Sequence, residues 1–136
     1  GQGLHVLVPL ARRLTHDETK ALGELLARVV VRELPEIATI ERSIPKRQGR
    51  VYVDYLQNGH GKLLVAPYTT RPRPGATVST PLRWSEVGAG LDPEKYTIRT
   101  VPRRARALKG GDPMAPLLEV EPDLVGALER LAERMG

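Results

Sequence analysis

Val51-Tyr52-Val53-Asp54-Tyr55-Leu56-Gln57-Asn58 is the stretch that decides the fold class. β-Branched and aromatic side chains suit a pleated, half-buried backbone, so Arg50 to Leu56 reads as a strand. Side chains alternate between the two faces of a strand, which puts Asp54 with Tyr52 and Leu56. A carboxylate among large apolar neighbours must be paired, protonated or metal-bound, because a bare buried ion is too costly. The other reading is a face open to solvent. Either way Asp54 is the first candidate functional residue.

Working outward from this strand, residues 37–44 read as a second one. Leu4 to Pro9 is an apolar run expected to be a buried strand. Between them Thr15-His16-Asp17-Glu18 has capping-box spacing. Leu22, Leu25, Leu26, Val29 and Val30 follow at helical intervals, which predicts an amphipathic helix over 16–34, ended by Leu34-Pro35. Downstream, Asn58-Gly59-His60-Gly61 turns into a strand from Lys62 to Tyr68. Arg71-Pro72-Arg73-Pro74-Gly75 is expected to be a stiff loop. Thr80-Pro81 opens a short helix ending near Gly88, and residues 96–101 form a last strand. Pro122 opens a final helix with Leu124, Leu128, Leu131 and Met135 on one stripe. Short strands, hairpin-like turns and two longer helices predict an α+β domain. Its sheet should be mostly antiparallel, with helices packed on one face.

The chain has 136 residues, which fits one domain over 1–136. There is no Cys, so disulfides, thiolate metal sites and a Cys nucleophile are excluded. Lys and Arg number 21 against 16 acids, for a net charge of +5. No apolar run is long enough for a membrane span, and no signal peptide opens the chain. A soluble, cytoplasmic domain with an anionic partner is expected. The chain starts Gly1-Gln2-Gly3 without Met, which reads as a fragment.

The charge is uneven. Arg42, Lys46, Arg47, Arg50, Lys62, Arg71 and Arg73 share their stretch with one acid, Asp54, and Arg99 to Lys109 holds basic residues and no acid. Solvated loops would explain both blocks; a groove for nucleic acid would explain them too. Arg71 and Arg73 are held on a proline-stiffened loop, which suits phosphate binding. His5 follows a Gly-containing turn of the kind that lets backbone N–H groups approach phosphate, though a lone His also fits a structural role. With no Phe in the chain, Trp84 and most of the tyrosines are expected as core fillers rather than base-stacking platforms.

Gly3-Leu4-His5-Val6, Asp54-Tyr55-Leu56-Gln57-Asn58, Ala66-Pro67-Tyr68 with Arg71-Pro72-Arg73-Pro74-Gly75-Ala76, and Thr80-Pro81-Leu82 with Trp84 occur in that order. Together they resemble the polymerase domain of bacterial DNA ligase D, in the archaeo-eukaryotic primase superfamily. The resemblance runs from Gly1 to about Pro113. It implies a primase palm half with an RNA-recognition-motif-like sheet. It also implies template-dependent transfer of an NTP or dNTP onto primer-template DNA ends in non-homologous end joining, in the bacterial cytoplasm at the nucleoid. Three carboxylates would hold two divalent metals, Mn²⁺ or Mg²⁺, and Ku and a ligase domain would be partners.

By the same resemblance Asp54 is the third carboxylate, catalytic and metal-binding. His5 closes the S-G-G-x-G-L-H nucleotide motif, Arg71 grips the triphosphate and Gln57 lies near the nucleotide. Arg47 and Arg73 are nucleic-acid contacts. The chain departs from the pattern in lacking any D-x-D pair, and Gln2 stands where Lys or Arg is common. It is therefore expected to be the C-terminal part of the domain, inactive alone, with an unpaired sheet edge that favours a homodimer. The alternative is a non-catalytic nucleotide- or nucleic-acid-binding module or truncated paralogue.

Overall fold

A computed structural model describes residues 3–135. They form two compact units. One is Leu10–Leu64 with the chain from Pro122 onward; the other is Val65–Glu121 with the chain up to Pro9. Four α-helices and one two-stranded sheet are present among the described residues, an α+β composition.

In the first unit α1 (His16–Glu33) is the longest element. Its capping box forms as expected: the Thr15 hydroxyl accepts from the Glu18 N–H at 3.3 Å, and Glu18 Oε2 accepts the Thr15 N–H at 2.7 Å. These bonds satisfy donors that a helix start otherwise leaves open. They also hold the Glu18 carboxyl below its ordinary range, the backbone bond to Thr15 being the main cause. The apolar stripe is half-buried at Leu22, Leu25, Leu26 and Val29, but Val30 faces solvent and the small Ala27 is the most buried residue.

Strands β1 (Ala38–Thr39) and β2 (Val51–Tyr52) pair in parallel, Ala38 opposite Val51. The expected strands were three to four times longer, and local side-chain bonds explain their shortness. Thr39 Oγ1 accepts the Glu41 N–H at 3.0 Å and Glu41 Oε1 accepts the Ser43 N–H at 2.8 Å, which peels the chain away after Thr39. Asp54 does the same after β2. Helix α4 (Leu124–Met135) is capped by Asp123, whose Oδ1 accepts the Gly126 N–H at 2.9 Å. It packs on α1, where the Arg32 guanidinium donates to the Met135 carbonyl at 2.7 Å.

The second unit carries α2 (Val101–Ala107) and α3 (Ala115–Glu119). Three extended segments approach one another in antiparallel fashion. Tyr68 N–H donates to Ser79 at 2.6 Å, Arg71 to Thr77 at 2.7 Å and Ile98 to Ala76 at 3.0 Å. Only the isolated bridges Thr70–Val78 and Thr77–Thr97 result. The expected mostly antiparallel sheet is thus corrected: the one regular ladder is parallel and two residues long. Pro72 and Pro74 lack ladder donors, and Gly75 and Ala76 at φ +84° and +44° turn the chain away.

Other expectations change as well. Leu4–Pro9 has no regular secondary structure and is exposed over Leu4–Val8, with Val6 64% accessible, so it is no buried strand. Lys62–Tyr68 is irregular and leaves Leu63 in solvent, since Pro67 interrupts any ladder. Residues 96–101 give one bridge and then α2, for Pro102 suits a first helical turn better than a strand interior. The Thr80-Pro81 helix is only a 3-10 turn at Trp84–Glu86. Thr80 does not cap it, because its hydroxyl donates back to the Val78 carbonyl at 2.9 Å. Trp84 is 76% exposed, not a core filler.

Candidate nucleotide and nucleic-acid interface

Asp54 lies just beyond β2, where the backbone leaves the ladder. Its Oδ1 accepts the Leu56 N–H at 3.0 Å, an Asx turn that starts the 3-10 turn Leu56–Asn58. Its Oδ2 accepts from Gln57 Nε2 at 3.4 Å. The carboxylate is exposed, so of the readings open at the sequence level the solvent-facing one holds. It needs no buried cation, and its hydrogen bonds orient rather than neutralise it. Asp54 and Gln57 are thereby in direct contact.

Two neighbours extend this surface. The Arg47 guanidinium sits 4.2 Å from the centre of the Tyr52 ring, while its Nε and Nη2 donate to the carbonyls of Glu41 and Arg42, each at 2.9 Å. These bonds and the ring hold the cation in place. Burial first, and then the Asp54 charge, raise the Tyr52 phenol above its ordinary range, against Arg42 and Arg47. Behind the turn stands α1. A Cβ on Gly23 would come within 2.7 Å of Asn58 Nδ2 and 3.5 Å of the Tyr55 Cβ. The glycine therefore lets the helix pass close to the turn that carries Gln57.

His5, Arg71 and Arg73 belong to the other unit. Arg71 is half-buried and its backbone is tied to Thr77. The loop closes on itself through Arg73 N–H to the Arg71 carbonyl and Ala76 N–H to the Arg73 carbonyl, both 2.9 Å. The expected stiff loop is present, with the Arg71 guanidinium making no hydrogen bond or ion pair to the described residues. Arg73 lines a cleft of about 440 Å³ with Gly75, Ala76, Thr97, Ile98 and Arg99. His5 is exposed, in a segment without regular secondary structure.

One strong interaction was missed in the sequence. Arg104 grips Glu86 through both oxygens, at 2.6 and 2.8 Å, and donates to the Pro81 carbonyl at 3.3 Å. Glu86 also accepts the Arg83 N–H at 2.8 Å. The Arg104 bond lowers the Glu86 carboxyl, and Glu86 in turn raises Arg104. The legible signal was Glu86 as the lone acid among residues 55–91, within a basic region.

The fit to a two-metal centre is poor. A hard divalent cation takes about six oxygens. No group of three His, Cys, Asp or Glu that could hold an ion occurs among the described residues, and Asp54 already accepts two hydrogen bonds. These residues alone do not make such a site. No helix among the described residues is long and apolar enough to cross a membrane.

An exposed carboxylate–amide pair and a cation over a tyrosine lie in one unit, and a proline-flanked two-arginine loop in the other, within an α+β chain. The particular family comes from comparison with known proteins. The model of the LigD primase-polymerase domain matches residues 1–114, and the chain belongs to this family. It is 39% identical over 101 residues to the bifunctional non-homologous end joining protein LigD of Bacillus subtilis, covering 74% of this chain and 16% of that protein. It is 33% identical over 135 residues to the multifunctional non-homologous end joining protein LigD of Pseudomonas aeruginosa, covering 99% of this chain and 15% of that protein. The Mycolicibacterium smegmatis protein of the same name is 33% identical over 116 residues, 85% of this chain and 15% of its own. The chain thus spans about one sixth of the length of these relatives.

Proposed function

We propose that this chain is the nucleotide- and DNA-gripping part of a polymerase domain that transfers nucleotides onto DNA ends during non-homologous end joining. Family membership over residues 1–114 is the observation that carries this reading. In it the chain forms one functional domain over 1–136, the C-terminal part of the catalytic whole. Arg71 binds the triphosphate of an NTP or dNTP, with His5 and Gln57 beside the nucleotide. Asp54 contributes a carboxylate to a divalent-metal site, Mn²⁺ or Mg²⁺, whose other ligands this sequence does not contain. Arg47 and Arg73 contact DNA phosphates. Ku and a ligase domain are partners of the complete protein, which works in the bacterial cytoplasm, and a sheet edge offers a route to a homodimer.

Geometry supports the division of labour. Pro72, Pro74 and the two 2.9 Å turn bonds restrict the backbone of the Arg71 loop, which lowers the conformational entropy lost on binding. A planar guanidinium fits phosphate oxygens with two parallel bonds. The Asp54 oxygens are oriented by Leu56 and Gln57 but left in solvent, where a ligand can reach them.

The test is primer extension with Mn²⁺ and each nucleotide, by the chain alone and by the chain fused behind an upstream segment that carries the family's D-x-D pattern. No extension by the first and template-dependent extension by the second is the expected pair of results. A fusion that binds nucleotide but never extends a primer supports the non-catalytic module instead.

A further inference from the structure

The functional reading leaves the arginines of α2 without a role. Arg99, Thr100, Arg103, Arg104 and Ala107 line a cleft of about 320 Å³. Arg103 lies on α2, and Arg99 on the turn just before it. The nearby carboxylate, Glu86, is held by Arg104 through both oxygens and also accepts the Arg83 N–H. Neither Arg99 nor Arg103 makes a side-chain hydrogen bond or ion pair with the described residues. The cleft thus has two uncompensated cations in its lining.

Arg99 also lines the second cleft, with Arg73. The two clefts therefore share Arg99, with Arg73 lining one and Arg103 the other. No aromatic side chain lines either cleft, so nothing there can stack a base, and Arg71 lines neither. A row of cations without a stacking platform matches a repeating phosphate chain read without regard to sequence.

We propose that Arg99 and Arg103, continued by Arg73, form a docking track for the sugar–phosphate backbone of DNA. The choice of DNA rests on the family reading above; the exposed cation row does not. The track positions DNA and carries no sequence preference. It is separate from the triphosphate contact assigned to Arg71.

The experiment uses the 136-residue chain and fluorescence anisotropy with two unrelated labelled duplexes across a salt series. Each phosphate neutralised on a duplex adds about 0.9 to the salt slope. Arg99→Gln/Arg103→Gln is expected to reduce that slope by about two units on both duplexes and to weaken binding about tenfold or more at moderate salt. Its melting temperature and its ATP affinity should match those of the parent. Arg99→Lys/Arg103→Lys keeps the charges and should keep the slope. An unchanged slope in the Gln variant overturns the track. So does a duplex affinity that falls in the Lys variant as steeply as in the Gln variant, which would trace the effect to packing. Loss of ATP binding with an unchanged DNA slope overturns it too, and assigns the cations to free nucleotide. A parent chain that binds no duplex at low salt overturns the track while leaving the family reading to the primer-extension test. A slope reduced as expected upholds the track even if the fusion never extends a primer.

Discussion

At the scale of single residues, the site holds two kinds of charge, one open and one committed. Arg71 is open, so its substitution reads binding. Arg71→Lys in the D-x-D fusion is expected to recover only part of the nucleotide affinity that Arg71→Ala loses, because an ammonium cannot reproduce the guanidinium fork. Titration with nucleotide would measure both. Glu86 is committed, and its bond to Arg104 makes stability depend on pH. Its carboxyl lies below its ordinary range in the folded chain, so the pair stabilises fully above the unfolded carboxylate value of about 4.3. That contribution is lost as pH falls through the lower folded value. Glu86→Gln should therefore melt at a lower temperature than the parent at pH 7, with the gap closing at acid pH. A gap independent of pH would mean that the ion pair is not what couples Glu86 to the fold.

At the scale of elements, the two longer helices were legible, whereas α2, α3 and the strand lengths were not. Helix α1 was written in Thr15 and Glu18, in a heptad-like run of leucines and in Leu34-Pro35, all local signals that nothing else contests. Thr15→Ala removes the cap and should lower stability by about 1 kcal/mol, which urea unfolding would report. The strands failed because Thr39 and Asp54 bind their own downstream N–H groups, an alternative to the ladder that apolar alternation does not reveal. The same bond shows why the environment expected for Asp54 differs from the one it has. Alternation put it among buried apolar residues, whereas the Asx turn carries it into solvent. The close passage of α1 at Gly23 was invisible in sequence, since it depends on where Asn58 falls in space. Gly23→Leu forces a side chain into that approach and should destabilise the unit by about 1–3 kcal/mol. Unchanged stability would show that the turn yields freely.

For the whole molecule, the family was legible because its short motifs survive in order, from Gly3-Leu4-His5 to Trp84, and the match extends over residues 1–114. The partition of the candidate site was not legible. Asp54, Gln57 and Arg47 belong to one unit, and His5, Arg71 and Arg73 to the other, although the motifs run on through one chain. The most direct measurement is primer extension by the D-x-D fusion over a rising nucleotide series. The account predicts that Asp54→Ala abolishes extension at every concentration. It predicts that Arg71→Ala raises the nucleotide requirement about tenfold to a hundredfold and recovers at high nucleotide, the effect of losing one charge-assisted hydrogen bond. Extension by Asp54→Ala, or an unchanged nucleotide requirement in Arg71→Ala, would contradict it.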